Sequence, residues 1–219
     1  MTRHIERQID HLKEKILRVG TLVEEAFSKS ITALINRDTA LAQRVMANDE
    51  EIDRMEVEVE EECLKILALY QPVAADLRFV VAVLKINNDL ERMGDLARNI
   101  AKRVPQLAAG PAVELPPEIR PMSMLAQDMV KQCLDAVVNA DPTLARQVRE
   151  EDDAVDEARQ QIRRRILQGV KAHPEQLENL LRINSVSKHI EWIADMATNV
   201  AEDVIYMVEG DIVRHRATE

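Results

Sequence analysis

Four pairs of acidic residues stand four positions apart in this chain, and on a helix each pair would place two carboxylates on one face. The pairs are Asp49 with Asp53, Glu91 with Asp95, Asp152 with Asp156, and Glu191 with Asp195. Carboxylates held this close raise one another's pKa unless a cation neutralises them. Sites made of carboxylates alone suit hard, oxygen-preferring ions such as Mg²⁺, Ca²⁺, Mn²⁺ or ferric iron. The pattern therefore predicts metal binding.

The same arrangement occurs in both halves of the chain. The segment ALINRDTALAQRV at 33–45 aligns with AVVNADPTLARQV at 136–148, at an offset of 103 residues. Farther along, a row of three oxygen-bearing side chains recurs at an offset of 100, as Glu91, Asp95 and Asn99 and then as Glu191, Asp195 and Asn199. Because the pairs recur at matching places, we predict two metal sites. We expect Asn99, Asn199 and Glu202 to lie beside the metal.

Ion pairing is the rival interpretation of these acidic pairs. Acidic residues make up 39 of the 219 residues, so single pairs also arise by chance on solvated helix faces. Glu91 or Asp95 could pair with Arg92, with Arg98 or with arginines on an adjacent helix. On spacing alone, metal binding and ion pairing both remain open.

The elements that position these pairs are predicted to be helices. The chain is 46% hydrophobic but only 2% aromatic, which favours helix over strand. Beside the Glu91 row runs an apolar seam at spacings of three and four, formed by Leu90, Met93, Ala97, Ile100, Val104 and Leu107. Asp38 and Asp141 are predicted N-caps. The periodicity predicts six helices, at about 5–35, 39–69, from after Pro72 to 107, 122–139, 142–170, and from His173-Pro174 to about 210.

A segment rich in helix breakers separates the two halves. Residues 108–121 contain four prolines and a glycine. We therefore predict an all-α protein with two tandem antiparallel three-helix bundles, a spectrin-like helical repeat in which each bundle has its own core. The first bundle spans 1–108, the linker 109–121 and the second bundle 122–219.

Charge and composition exclude several classes of function. A net charge of −10 argues against binding nucleic acid and suits cations or a basic protein partner. No apolar run approaches the ~18 residues that a membrane helix requires, so we expect no direct membrane insertion. Cys63 and Cys133 form no CxxC motif, and we expect them to be buried, reduced thiols of a cytoplasmic protein.

The motifs of the common enzyme classes are missing. The five glycines are scattered, so no phosphate-binding loop is formed. None of the five histidines completes an HExxH motif or the Glu-x-x-His pair of di-iron bundles. The chain is therefore predicted not to be an enzyme.

The stretch QPVAADLRFVVAVLKINNDLERMGDLARNIAKR at 71–103 closely resembles the signature of the PhoU family of phosphate-transport regulators. The matching residues are Pro72, Ala74, Asp76, Leu77 and Arg78, then Asp89, Leu90, Glu91, Arg92, Gly94 and Asp95, then Asn99, Ile100 and Ala101. The second half is similar through Glu191, Asp195, Ala197, Asn199, Ala201, Glu202, Tyr206 and Gly210. It departs from the family pattern at Trp192 and Ala194, where the family has arginine and glycine.

This resemblance implies a PhoU-like fold whose E/D-x-x-x-D motifs bind multinuclear iron or zinc clusters, with other divalent ions as further candidates. It implies a non-catalytic negative regulator of phosphate uptake and phosphate-starvation signalling. The implied partners are the ATPase of the phosphate ABC transporter and a membrane sensor histidine kinase. A homodimer at the cytoplasmic side of the inner membrane, held there by those partners, is also implied. The alternatives are a carboxylate-bridged metalloenzyme and a purely structural helical scaffold.

Overall fold

The structure is a computed structural model that describes residues 2–110 and 112–213, with side chains from residue 4 onward. This part of the chain contains six α-helices, one 3₁₀ turn and no strand. The helices are α1 (Thr2–Asn36), α2 (Thr39–Tyr70), α3 (Ala74–Ala109), α4 (Ile119–Asn139), α5 (Pro142–Ala172) and α6 (Leu177–Glu209). The predicted all-α fold class, with two three-helix bundles, is confirmed.

Both predicted N-caps are confirmed. The Asp38 carboxylate accepts a hydrogen bond of 2.9 Å from the backbone N–H of Leu41 at the start of α2. At the start of α5, Asp141 accepts hydrogen bonds from the N–H groups of Thr143 and Leu144 at 2.9 and 3.1 Å. These carboxylates satisfy N–H groups that have no partner within the helix.

The connection between the bundles is shorter than predicted. Because α3 continues to Ala109 and α4 begins at Ile119, the non-helical segment covers 110–118 rather than 109–121. Pro121 fits the first turn of α4, where the missing N–H of proline costs no helical hydrogen bond. Pro111, which belongs to the predicted linker, lies outside the described residues, as do Met1 and 214–219 at the ends of the predicted bundles.

The 3₁₀ turn corrects a second boundary. Pro174–Gln176 forms this turn, and α6 begins only at Leu177 rather than at the predicted His173-Pro174.

The expectation that each bundle has its own core is wrong. The buried apolar side chains of the described residues form one continuous cluster, and α3 and α6 make the most extensive contact of any helix pair. Ala97 and Ala101 of α3 are buried, as are Ala194 and Ala197 of α6, whereas Gly94 of α3 lies against Ile52 of α2. Small residues allow two helices to approach closely, so each central helix packs against its own bundle and against the other.

Two further expectations concern the membrane and the cysteines. Among the described residues, every helix is too short or too polar to qualify as a membrane span. Cys63 and Cys133 are free and buried, as predicted.

Candidate functional site

The predicted acidic pairs of the first half meet where α2 packs against α3. Asp95, Asp53 and Asp49 all lie close enough to Glu91 to raise the pKa of its carboxyl. Glu56 belongs to the same group, and sequence reasoning missed it. The signal was present, because Glu56 follows Asp49 by seven positions and so lies on the same face of α2. We call Asp49, Asp53, Glu56, Glu91 and Asp95 the first cluster.

An arginine occupies one end of the first cluster. Arg98 Nη1 donates to Asp49 Oδ2 at 2.8 Å, and Arg98 Nη2 lies 3.0 Å from Asp95 Oδ1. Asp49 is only 5% exposed. This contact is the ion pairing that the sequence left open as the rival to metal binding. The guanidinium therefore supplies the positive charge at this end of the cluster.

Burial is the main influence on the pKa values in the first cluster. It raises the pKa of the Asp49 carboxyl, with Arg98 acting in the opposite direction. It also raises the pKa of Glu91, to which the negative charges of the neighbouring carboxylates add. The pKa of Glu56 is raised by burial and by Glu60 and Asp53. These carboxylates therefore hold their protons more strongly than exposed ones do.

The pairs of the second half meet in the same way between α5 and α6. Burial raises the pKa of Asp152, and the charges of Asp156 and Asp153 add to the effect, while Thr198 opposes it. The pKa of Asp195 is raised to about 6, first by loss of hydration and then by Asp152, Asp156 and Glu191. We call Asp152, Asp156, Glu191 and Asp195 the second cluster.

One oxygen of the second cluster lacks a well-aligned partner. Asp152 Oδ1 is buried without a well-aligned hydrogen bond, although the Thr198 hydroxyl lies near enough to lower the pKa of this carboxyl. The nearest arginine of this cluster, Arg159, lies at the Glu191 end, with its Nε 3.5 Å from Glu191 Oε2. That contact is an ion pair without a hydrogen bond, since Arg159 Nε itself is buried and unpaired. A buried polar atom without a well-aligned partner is costly to the folded state.

The residues predicted beside the metal have different surroundings. Asn99 and Asn199 are half-buried, each one turn beyond the aspartate of its row. Glu202 forms an ion pair with Arg149, whose Nε lies 3.4 Å from Glu202 Oε1.

The chemical type of the donor atoms suits a hard cation, but their positions in this structure do not. Every donor in the two clusters is a carboxylate oxygen, which suits Mg²⁺, Mn²⁺, Ca²⁺ or ferric iron. Within the described residues, however, no three His, Cys, Asp or Glu side chains converge closely enough to hold one ion. A bound cation would therefore require the carboxylates to turn towards a common point.

Asp195→Asn is expected to remove part of the pH dependence of stability. The native pKa of about 6 lies above the ordinary 3.8, so the native state binds this proton more strongly than the unfolded state does. The stabilisation is complete below pH ~4 and is lost as the pH rises through about 6. Because the side chain is only partly removed from water, screening limits the effect to about 1 kcal/mol.

Thermal unfolding of the metal-free protein between pH 4 and pH 8 measures this effect. The Asp195→Asn variant should be less sensitive to pH than the unsubstituted protein, whereas the exposed control Glu157→Gln should behave like it. Equal pH profiles for all three proteins would contradict the assigned shift.

Fold and site together define a class of protein: an all-α duplication in which two three-helix bundles each carry a carboxylate cluster between two long helices. The chain belongs to the PhoU domain family, whose pattern matches residues 16–104 and 119–204. The predicted family is thus confirmed, and membership supports a regulatory role in phosphate transport.

Relatives match over nearly the whole chain. The phosphate-specific transport system accessory protein PhoU homolog of Aquifex aeolicus (strain VF5) is 39% identical over 210 residues, covering 96% of this chain and 95% of its own. The homolog of Pseudomonas aeruginosa is 36% identical over 220 residues, with 98% and 91% coverage.

Solved structures agree with the fold. The crystal structure of PhoU from Pseudomonas aeruginosa superposes with a TM-score of 0.91 at 35% identity, covering 94% of this chain and 99% of that one. The phosphate transport system regulatory protein PhoU from Streptococcus pneumoniae gives a TM-score of 0.89 at 29% identity, with 95% and 99% coverage.

Proposed function

We propose that this chain is a non-catalytic negative regulator of phosphate uptake and of phosphate-starvation signalling. It acts as a metal-binding adaptor between the ATPase of a phosphate ABC transporter and a membrane sensor histidine kinase. The observation that carries the proposal is the duplicated carboxylate cluster on a PhoU-family fold, since relatives with this fold are named accessory proteins of phosphate-specific transport.

The metal is a multinuclear iron or zinc cluster, or another divalent ion. Its ligands would come from the predicted pairs of the first cluster (Asp49, Asp53, Glu91 and Asp95) and from the second cluster (Asp152, Asp156, Glu191 and Asp195). When bound, the metal supplies positive charge between paired helices. The carboxylates that now repel one another would then join α2 to α3 and α5 to α6.

The adaptor works at the cytoplasmic side of the inner membrane, where its partners hold it, and as a homodimer. Its net charge of −10 favours docking on basic surfaces of those partners. Nucleic acid is not a partner, because binding its phosphates requires a basic surface.

The double variant Asp152→Ala/Asp195→Ala tests this proposal. We expect the purified variant to retain less iron or zinc than the unsubstituted protein by elemental analysis. Cells carrying it should express phosphate-starvation genes in high phosphate, because the adaptor no longer restrains the kinase. Recovery of the transporter ATPase and the kinase in pull-downs, with and without phosphate, measures the adaptor role directly.

A matched control lies one position along the same helix. Asp153 and Glu157 are also four residues apart on α5 but are both exposed, so Asp153→Ala/Glu157→Ala should keep the metal and the phosphate control. Absence of metal from every protein, with unaltered phosphate control in the cluster variant, would contradict the metal-binding role. Turnover of oxygen or phosphoesters that the cluster variant loses would instead favour the metalloenzyme.

A further inference from the structure

The outer surfaces of α2 and α5 carry opposite charges at equivalent positions. The offset of 103 residues that relates the two helices aligns 56–64 of α2 with 159–167 of α5. The structure keeps this register, because Cys63 and its counterpart Ile166 are both buried. Within these segments arginine stands in place of glutamate at four equivalent positions: Glu56 and Arg159, Glu60 and Arg163, Glu61 and Arg164, and Glu62 and Arg165. The duplicated halves thus present similarly placed surfaces of opposite charge.

Two of these four positions carry charges that no other described residue neutralises. Glu60 and Glu61 of α2 are exposed, as are Arg163 and Arg164 of α5, and none of the four forms an ion pair within the part of the chain that the structure describes. At the other two positions the arginine already contacts a glutamate. The charges at 60, 61, 163 and 164 are therefore available to another molecule.

An exposed leucine lies at the same place on each surface. Leu64 of α2 is 54% exposed and Leu167 of α5 is 56% exposed. Each leucine follows the two free charges of its helix by three and four positions, so the three side chains share one face. We call Glu60, Glu61 and Leu64 the acidic face, and Arg163, Arg164 and Leu167 the basic face. An apolar side chain bordered by charges is the composition of a protein–protein interface.

The two faces of one molecule do not meet. Helix α2 packs against α1 and α3, whereas α5 packs against α4, α6 and the 3₁₀ turn, and α2 makes no contact with α5 among the described residues. Complementary charges attract and align two surfaces only when those surfaces come together. The acidic face and the basic face can therefore be matched only between molecules.

We propose that each face is a docking surface for the opposite face of a second copy of this chain. In a two-fold dimer the acidic face of each protomer lies against the basic face of its partner, so the same contact forms twice. A second copy supplies both charges in one molecule, whereas a partner of a single charge would fit only one face. This pairing rests on the homodimer proposed above and specifies its surface, and it does not involve the metal.

Reversing the charge of one face at a time tests the pairing. Arg163→Glu/Arg164→Glu makes both faces acidic, and Glu60→Arg/Glu61→Arg makes both faces basic. Analytical ultracentrifugation of the full-length proteins measures the dissociation constant of the dimer. We expect the unsubstituted protein to dimerise and each variant to raise that constant by about 100-fold, because like charges would then face each other.

Mixing the two variants provides a rescue that misfolding does not imitate. One variant carries two acidic faces and the other carries two basic faces, so both contacts of a mixed dimer are again complementary. An equimolar mixture should form a heterodimer with an affinity close to that of the unsubstituted dimer. Native mass spectrometry identifies the heterodimer by its mass.

A matched control changes the net charge equally without touching either face. Arg44 of α2 and Arg120 of α4 are exposed, so Arg44→Glu/Arg120→Glu should leave dimerisation unchanged. Raising the salt concentration from about 0.05 M to about 0.5 M should weaken the unsubstituted dimer, since salt screens exposed charges.

Each contrary result has its own meaning. If the unsubstituted protein is a dimer that neither reversal weakens, the pairing is wrong and the proposed homodimer stands. Growth beyond a dimer with concentration would overturn the two-fold arrangement. A monomer at every concentration would overturn both the pairing and the homodimer. If Arg163→Glu/Arg164→Glu then also lost the transporter ATPase or the kinase in pull-downs, the basic face would belong to that partner instead.

Discussion

Leu90→Ala is expected to lower the free energy of unfolding by about 2–5 kcal/mol, the range for large-to-small substitutions in a packed core. Leu90 is fully buried in the apolar seam of α3, within the core that both bundles share. Glu91→Gln, one position along, should leave the stability of the metal-free protein unchanged or higher. It removes a carboxylate whose pKa is raised by burial and by neighbouring negative charges.

Urea unfolding of the metal-free proteins measures both effects, and Leu69→Ala is the control. Leu69 is 66% exposed, so its truncation should change stability by no more than about 0.5 kcal/mol. Equal losses for Leu90→Ala and Glu91→Gln would mean that the acidic row contributes to stability as the seam does. The assignment of one row to packing and the other to charge would then be wrong.

Lys85→Met is expected to destabilise the protein by about 2 kcal/mol, because it deprives a buried carboxylate of a charged partner. Lys85 of α3 contacts Asp203 of α6, with Nζ 3.1 Å from Oδ1, and Asp203 is only 2% exposed. Asp203 has a further interaction, which places the expected loss below the range for complete isolation of a buried charge. The methionine keeps most of the apolar contact that the lysine chain makes.

Thermal and urea unfolding of Lys85→Met and Lys65→Met compare the free energy that this buried ion pair contributes with the contribution of an ordinary surface ion pair. Lys65 pairs with Glu62 of its own helix at 3.3 Å and is half exposed, so its loss should cost about 0.5 kcal/mol or less. A similar small loss for Lys85→Met would show that the contact between Lys85 and Asp203 adds little to the docking of α3 on α6.

The helices and their caps could be predicted from the sequence because they depend on short-range patterns. Spacings of three and four residues reveal one apolar face, and the N-cap role of Asp38 and Asp141 involves only the next three residues. Two helix starts differ from the predicted ones, since Pro121 is tolerated in the first turn of α4 and Pro174 begins a 3₁₀ turn rather than α6.

The sharing of one core could not be predicted. The seam of α3 shows that its apolar face is covered, but it does not identify which other apolar face of the chain covers it. Buried small residues indicated close approach but not the partner: Gly94 lies against Ile52 of α2, and only the packed structure shows that α3 and α6 also approach each other.

By itself, the sequence determined the fold class, the duplication, the family and the acidic pairs that supply the site, because these features follow from residue types at fixed local spacings. The tertiary structure alone decided how the site is charged. It set Arg98 of α3 against Asp49 of α2 and placed Arg159 of α5 beside Glu191 of α6. The physical reason is that an ion pair depends on which helix faces which, and residues 49 and 98 come together only when α2 packs against α3.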